Sequence, residues 1–371
     1  MKLYIIAGEA SGDLHGSNLI KEIRKLKPDA QIRGWGGDFM QKAGAEIVKH
    51  YRDLAFMGFA EVLANLGTIL GNLKSCKKDI QLFSPDAIIL IDYPGFNLRI
   101  AKFAKSIDIK VFYYISPQLW AWNESRVGII KKYVDNMFVI LPFEKEFYAK
   151  HNYPVDFAGH PLLDATEQRK NAISPASFRK INQLSEKKII ALLPGSRIQE
   201  INNMLPTMLR AANHFPEYEL VVAGAPSVNE QVYAAWMKDY KNVKIVSGQT
   251  YDLLENAHAA LVTSGTATLE TALFDVPEVV CYKGNRLSYQ IAKQLVKVKF
   301  ISLVNLIMDE KIVTELIQSD FNEQKLISEL KNILKDSVRG KIKTDYAILK
   351  NKLGGSGAST RTAELMMHYL S

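Results

Sequence analysis

The chain has two cysteines in 371 residues, Cys76 and Cys281. That is too few for a disulfide framework and points to a reducing compartment. No apolar run approaches the roughly 20 residues a membrane-spanning helix needs, which excludes an integral membrane protein. The N-terminal run MKLYIIA breaks at Gly8-Glu9, short of an export signal, so a cytoplasmic protein is expected. His-x-x-x-His, Cys-x-x-Cys and Asp-x-Asp patterns are all missing, so neither a metal nor an organic cofactor is expected. Also missing are a Gly-Lys-Ser/Thr phosphate loop and a Gly-x-Gly-x-x-Gly fingerprint, which disfavours P-loop and dinucleotide chemistry. With no low-complexity tract and no short repeat, disordered and solenoid architectures drop out.

What is present is a globular composition, 47% hydrophobic and 23% charged, long enough for two or three domains with developed cores. Forty-seven basic against 39 acidic residues give a formal charge of +8, which favours anionic partners: phosphorylated ligands, an anionic membrane surface or nucleic acid. Nucleic acid is the weakest of these, because the basic residues are spread over helices instead of forming a stripe beside exposed aromatics. Near-continuous apolar segments at about 2–7, 30–34, 86–91, 110–115, 136–140 and 155–157 alternate with helical patterns at about 13–26, 58–82, 97–107, 124–132 and 143–150. Such alternation predicts a parallel sheet covered on both faces. Residues 166–186 lose the apolar runs, as a linker with a short helix would, and the pattern restarts with strands at about 188–193, 218–223, 243–246, 259–263 and 278–282. The expected organisation is α/β, with two Rossmann-like doubly wound domains facing a cleft: 1–165, 166–350, and a C-terminal helix at 351–371 that crosses back to the first domain or reaches a partner subunit, as in a homodimer.

Chemistry-bearing residues gather where strands should end. PDAIILIDYPGFN at 85–97 carries a buried-looking strand into Asp92, then Pro94 and Gly95. Taken alone, Asp92 is ordinary turn chemistry. The stretch AGEASGDLHGSN at 7–18 places Ser11 and Asp13 among glycines at a helix start, suited to an anionic or polyhydroxyl ligand. A tight turn with Asp13 as a helix cap fits that stretch equally well. In the second half, Pro194-Gly195-Ser196-Arg197 follows a strand: Gly195 permits close backbone approach, Ser196 caps or binds phosphate, and Arg197 offers a bidentate fork or a solvated first-turn charge. Ser264-Gly265-Thr266 ends another strand, with Glu270 one turn later. These suit a diphosphate and a ribose diol respectively, or a loose capping box. Trp120 and Trp122 follow a Ser-Pro turn and are expected to line a wall. His15 and His160 read as structural hydrogen-bonding residues. Residues 59–73 form an apolar helical stripe with lysines behind it, facing either its own core or a membrane surface.

AGEASGD at 7–13, GFAEVL at 58–63, IDYPGFN at 91–97, SPQLWAW at 116–122, GHPLLD at 159–164, LLPGSR with Glu200 at 192–200, SGTATLE at 264–270 and SLVNLI at 302–307 resemble, in order and over nearly the whole chain, the lipid-A-disaccharide synthases. The resemblance implies a two-domain inverting glycosyltransferase of the GT-B type. It would move 2,3-diacylglucosamine from UDP-2,3-diacylglucosamine to the 6-hydroxyl of 2,3-diacylglucosamine 1-phosphate, with no metal required. It further implies Asp92 as general base, Arg197, Gly195, Ser196, Ser264, Gly265 and Thr266 around the diphosphate, Glu270 on the ribose and Asn305 at the nucleotide, with Ser11 and Asp13 facing the ligand. Phe56, Met57, Phe59 and Val62 are expected to touch acyl chains at the inner face of the cytoplasmic membrane. Two departures stand out: Gly95 where many members carry a second acid, and Val304 where a proline is usual. Competing readings are another GT-B enzyme acting on UDP-GlcNAc, such as a lipid-linked GlcNAc transferase or a 2-epimerase, and a non-catalytic sugar-nucleotide-binding protein.

Overall fold

A computed structural model describes residues 1–54, 66–122, 124–167, 173–285, 289 and 298–371. It divides into two compact units, Met1–Asp164 together with Leu353–Ser371, and Ala165–Lys352.

The first unit is built on seven parallel strands: β1 Lys2–Ala7, β2 Gln31–Gly36, β3 Glu46–His50, β4 Ala87–Ile91, β5 Lys110–Tyr114, β6 Asn136–Val139 and β7 Asp156–Phe157. Their spatial order is β3-β2-β1-β4-β5-β6-β7. The order reverses between β1 and β4, and ligands of doubly wound sheets bind beyond the carboxyl ends of strands at such a reversal. β4 shows why the segment is a strand and why it is central. All five of its residues, AIILI, are fully enclosed. Ile88 and Leu90 join the core on one face, with Cys76, Ile80 and Ala101. Ile89 and Ile91 join the other, with Leu19, Ile20 and Ile23. Burying those four large aliphatic side chains contributes on the order of 6–12 kcal/mol before entropy, enough for the strand to carry local strain at its end.

The last helix, Ala358–Leu370, completes the second face, adding Ala363 and Met366 to the core beside helix Ala10–Leu26. Its N-terminus is held by a buried carboxylate. Asp164 accepts hydrogen bonds from the backbone N–H of Gly357 at 2.6 Å, Ala358 at 3.1 Å and Ser359 at 2.7 Å. His15 and His160 are buried in this unit, and burial lowers their pKa values to about 4 and about 3, so both are neutral at pH 7.

The second unit repeats the plan with β8 Ile189–Leu193, β9 Glu219–Gly224, β10 Val243–Ser247, β11 Ala257–Thr263, β12 Glu278–Tyr282 and β13 Thr314–Ile317. The order β10-β9-β8-β11-β12-β13 reverses between β8 and β11. The linker contains the expected short helix, Pro175–Ile181, with Ser174 capping the N–H of Ser177.

Three details differ from the sequence expectation. β3 and β13 went unrecognised because both are short outer strands of mixed polarity, EIVKH and TELI, with no alternation to betray them. Helix Ala10–Leu26 starts three residues early, so Gly12 and Asp13 lie inside it and not in a glycine loop. Helix Pro94–Ser106 likewise takes in Pro94 and Gly95, because a proline in the first turn forgoes only an N–H that has no helical partner. Among the described residues no helix is long and apolar enough to cross a membrane, and no three His, Cys, Asp or Glu side chains gather as metal ligands.

Candidate active site

Asp92 follows the last residue of β4, at the reversal point of the first sheet. It and Tyr93 both occupy the left-handed region, with φ of 45° and 49°. Such a conformation costs a non-glycine residue about 1–3 kcal/mol, and it persists only where the surroundings dictate it. Here they do. The Asp92 carbonyl accepts from Asn97 Nδ2 at 2.7 Å and from the Tyr113 hydroxyl at 2.6 Å, while its N–H donates to the Tyr114 carbonyl at 3.1 Å. The backbone of the residue is clamped from one neighbouring strand, β5, and one helix, and the residue lines a cavity.

The neighbouring β1 turn is packed against this one. A Cβ on Gly8 would come within 2.4 Å of the Tyr93 ring, so only glycine allows the two turns to touch. Burial raises the Asp92 pKa, the negative charge of Glu9 raises it further, and the N–H of Tyr93 offsets part of this, leaving it at about 6. Glu9, the N-cap residue of helix Ala10–Leu26, and Ser11 in its first turn are both exposed at this edge. Asp13 is not. It is buried, and its two oxygens accept from the N–H groups of Gly37 at 2.8 Å, Phe39 at 3.0 Å and Met40 at 3.0 Å. The expectation of Asp13 facing a ligand thus gives way to an internal cap on helix Asp38–Lys42, because a first-turn helix side chain at this position points towards the next loop.

The cavity beside Asp92 has a volume of about 230 Å³ and is bounded by Ser116, Gln118, Arg126 and Glu144 among others. Glu144 opens the helix after β6 and is buried. It accepts from the Ser116 hydroxyl, from Trp120 Nε1 at 3.2 Å, and from the N–H groups of Leu141 at 2.9 Å and Ile140 at 3.3 Å. Burial outweighs these four donors and raises its pKa to about 7. Trp120 therefore anchors the wall, stacked edge-on against Phe143 at 4.9 Å; the side chain of Trp122 lies outside the described residues. Glu9 and Glu144 were not singled out from sequence. The available signal was positional: each is the acid just past a strand, in AGE and LPFE.

In the second unit the turns after the adjacent strands β8 and β11 carry the expected residues. Gly195 has φ 111°, and a Cβ there would lie 2.5 Å from Glu200 Oε2. Glu200 reaches back to the Ser196 N–H at 3.0 Å and sits 3.7 Å from Arg197 Nη1. The turn's Ser196 N–H and Arg197 thus already face a carboxylate of the chain's own. Arg197 keeps 58% of its side chain exposed. Ser264 donates to the Ile301 carbonyl at 3.0 Å, leaving Gly265 and Thr266 exposed at the start of helix Thr266–Leu273. Glu270 is half-buried and accepts from the Tyr251 hydroxyl at 2.8 Å; burial raises its pKa.

Asn305 is fully buried and its amide is spent. Nδ2 donates to the Val313 carbonyl and to Glu315, both at 2.9 Å, and Oδ1 accepts from the N–H groups of Ile312 and Val313 at 2.8 and 3.0 Å. It holds the loop before β13 in place, and no part of the amide remains for direct nucleotide contact. Val304 does not disturb this, because Ser302 caps the helix by accepting from the Asn305 N–H at 3.2 Å. At Gly95 the space a side chain would fill is open, so a second acid is absent by residue choice and not by crowding. Phe56, Met57, Phe59 and Val62 lie outside the described residues.

Chains of known structure place this architecture. The Methanocaldococcus jannaschii UDP-GlcNAc 2-epimerase in complex with UDP-GlcNAc and UDP superposes with a TM-score of 0.69 at 14% identity, over 99% of this chain and 100% of that one. The glycotransferase of kitacinnamycin gives 0.69 at 13% identity, over 100% and 99%. These define the fold class alone, two parallel-sheet α/β domains of the GT-B type. Sequence narrows it: the model described as lipid-A-disaccharide synthetase matches residues 3–368. The lipid-A-disaccharide synthase of Syntrophus aciditrophicus (strain SB) is 41% identical over 373 residues, covering 98% of this chain and 96% of its own. That of Nitrosococcus oceani is 40% identical over 372 residues, covering 99% and 95%. The chain belongs to the lipid-A-disaccharide synthetase family.

The electrostatics at Asp92 can be measured directly. Carbon-13 NMR of the labelled carboxyl should titrate with a midpoint near 6. Glu9→Gln removes a like charge that disfavours the ionised form, so the midpoint should fall; an unchanged midpoint would remove Glu9 from the account.

Proposed function

We propose that the chain transfers 2,3-diacylglucosamine from its UDP derivative to the 6-hydroxyl of 2,3-diacylglucosamine 1-phosphate, with inversion at the anomeric carbon, as the family it belongs to implies. The observation that carries the residue assignment is the clamped, strained Asp92 whose carboxylate lines a cavity at the sheet reversal with a pKa of about 6. A base of that pKa is mostly ionised at pH 7 yet remains a competent proton acceptor. In the reaction the acceptor O6–H bond breaks and its proton passes to Asp92. O6 bonds to the donor's anomeric carbon as the bond from that carbon to the diphosphate oxygen breaks, and UDP leaves with the electron pair.

The second unit supplies the leaving group's counter-charge in this reading. Arg197 and the N–H groups around Gly195, Ser196, Gly265 and Thr266 stabilise the diphosphate as its charge grows. The diphosphate displaces Glu200 from the Ser196 N–H, and Glu270 accepts from the ribose hydroxyls. Asn305 acts by positioning, as does Asp13.

Asp92→Asn should lower kcat by about 10²–10⁴-fold with little change in donor KM. In the parent, kcat/KM should rise with pH to a plateau above 6, because only the carboxylate accepts a proton. UDP release that depends on the diacylated acceptor supports the transferase. Interconversion of UDP-GlcNAc without acceptor would support an epimerase instead, and nucleotide binding without turnover a sugar-nucleotide-binding protein.

Both substrates are acylated, which motivates a membrane-docking surface as part of the same reading. Helix Leu66–Phe83 exposes Leu70 at 64%, with Lys74 and Lys78 exposed further along, and the apolar segment at Phe56, Met57, Phe59 and Val62 precedes it. We expect serine at Phe56, Met57 and Phe59 together to reduce co-sedimentation with anionic vesicles at least several-fold. Undiminished binding would remove this surface from the account.

A further inference from the structure

The described residues that line the cavity beside Asp92 all belong to the first unit, and the lining is bipolar. Asp92 contributes a carboxylate, and among the described residues lining the cavity Arg126 is the one cation. Gln118 and Ser116, from the loop after β5, add neutral polar groups, and Pro94, Ile115, Pro117, Leu119, Ile140 and Leu141 the apolar remainder. Glu144 also borders it, but its oxygens are held by Ser116, Trp120, Ile140 and Leu141, so it fixes the wall instead of presenting a charge.

Size selects the occupant. At about 230 Å³ the cavity falls below the roughly 300 Å³ of pockets that enclose drug-sized ligands. It takes one sugar ring and its substituents, not a diacylated lipid, whose chains must leave through the mouth. Charge selects further. The acceptor assumed above carries its reacting 6-hydroxyl and its 1-phosphate at opposite ends of one pyranose ring. A hydroxyl at a carboxylate and a phosphate at a guanidinium is the pairing this lining offers, since guanidinium groups bind phosphate through charge-assisted, bidentate hydrogen bonds.

We propose that this cavity is the subsite for the sugar 1-phosphate head of the acceptor, with Arg126 binding the anomeric phosphate and so aiming the 6-hydroxyl at Asp92. The proposal rests on the transferase reading for the identity of the ligand. Arg126 is a binding and orienting residue whose effect falls on the acceptor and not on the donor.

The test is steady-state kinetics in mixed micelles with two acceptors, 2,3-diacylglucosamine 1-phosphate and the same lipid with a free 1-hydroxyl. Arg126→Ala should raise KM for the phosphorylated acceptor by about 10–100-fold, leave donor KM unchanged, and abolish most of the enzyme's preference for the phosphorylated form. Arg126→Lys should keep the preference in part, and an unchanged donor KM shows that the variant is folded. An unchanged acceptor KM, an intact preference for phosphate, or a rise in donor KM instead would overturn the proposal. Calorimetric binding of the phosphorylated acceptor without donor separates the two layers. If the parent binds it, Arg126→Ala loses binding and yet no UDP is released, the subsite stands and the transferase reading fails.

Discussion

The carbonyl of Asp92 is the point on which the first unit's site depends. A left-handed residue after a buried strand is unfavourable on its own. It is tolerated here because Asn97 and Tyr113 both donate to that carbonyl, and Asn97 also donates to the Ile91 carbonyl at 3.2 Å. The strain, about 1–3 kcal/mol for each of two residues, is outweighed by the enclosed aliphatic side chains of β4. Its effect is to turn the chain so that the carboxylate meets the cavity while the backbone starts a helix at Pro94. Asn97, two residues past the gap at Gly95, is part of the IDYPGFN block for this reason: it holds the turn and is itself fully buried.

The same economy runs through the second unit. Asn305 and Ser302 use their polar groups to fix one loop, while Arg197, Gly265 and Thr266 stay exposed. Glu200 over the Gly195 turn balances Arg197 without a ligand. Each unit thus has a supporting layer of buried amides and carboxylates bonded to neighbouring turns. Glu144 and Asp13 belong to the supporting layer of the first unit.

The doubly wound plan was legible because β1, β4, β5, β8, β9 and β11 are continuous apolar runs, and runs of that kind survive without knowledge of partners. The edge strands β3 and β13 were not, since their residues are half polar and only pairing makes them strands. The places of Asp92, Arg197 and Glu270 just past strands could also be read from the sequence. The division of labour could not. Asp13 and Asn305 read like ligand contacts until their hydrogen bonds are traced, because a sequence does not say which way a polar side chain turns. Glu144 escaped because its significance lies in burial, a property fixed by the loop after β5 that folds over it.

The clamped turn places the Asp92 carboxylate, and a double-mutant cycle on turnover shows whether it does. Asn97→Ala in the parent should lower kcat by about 10–100-fold, and in an Asp92→Asn background it should cost almost nothing more, because the residue acts through Asp92. If the two losses simply multiply, Asn97 serves catalysis by another route and the account of the turn is wrong.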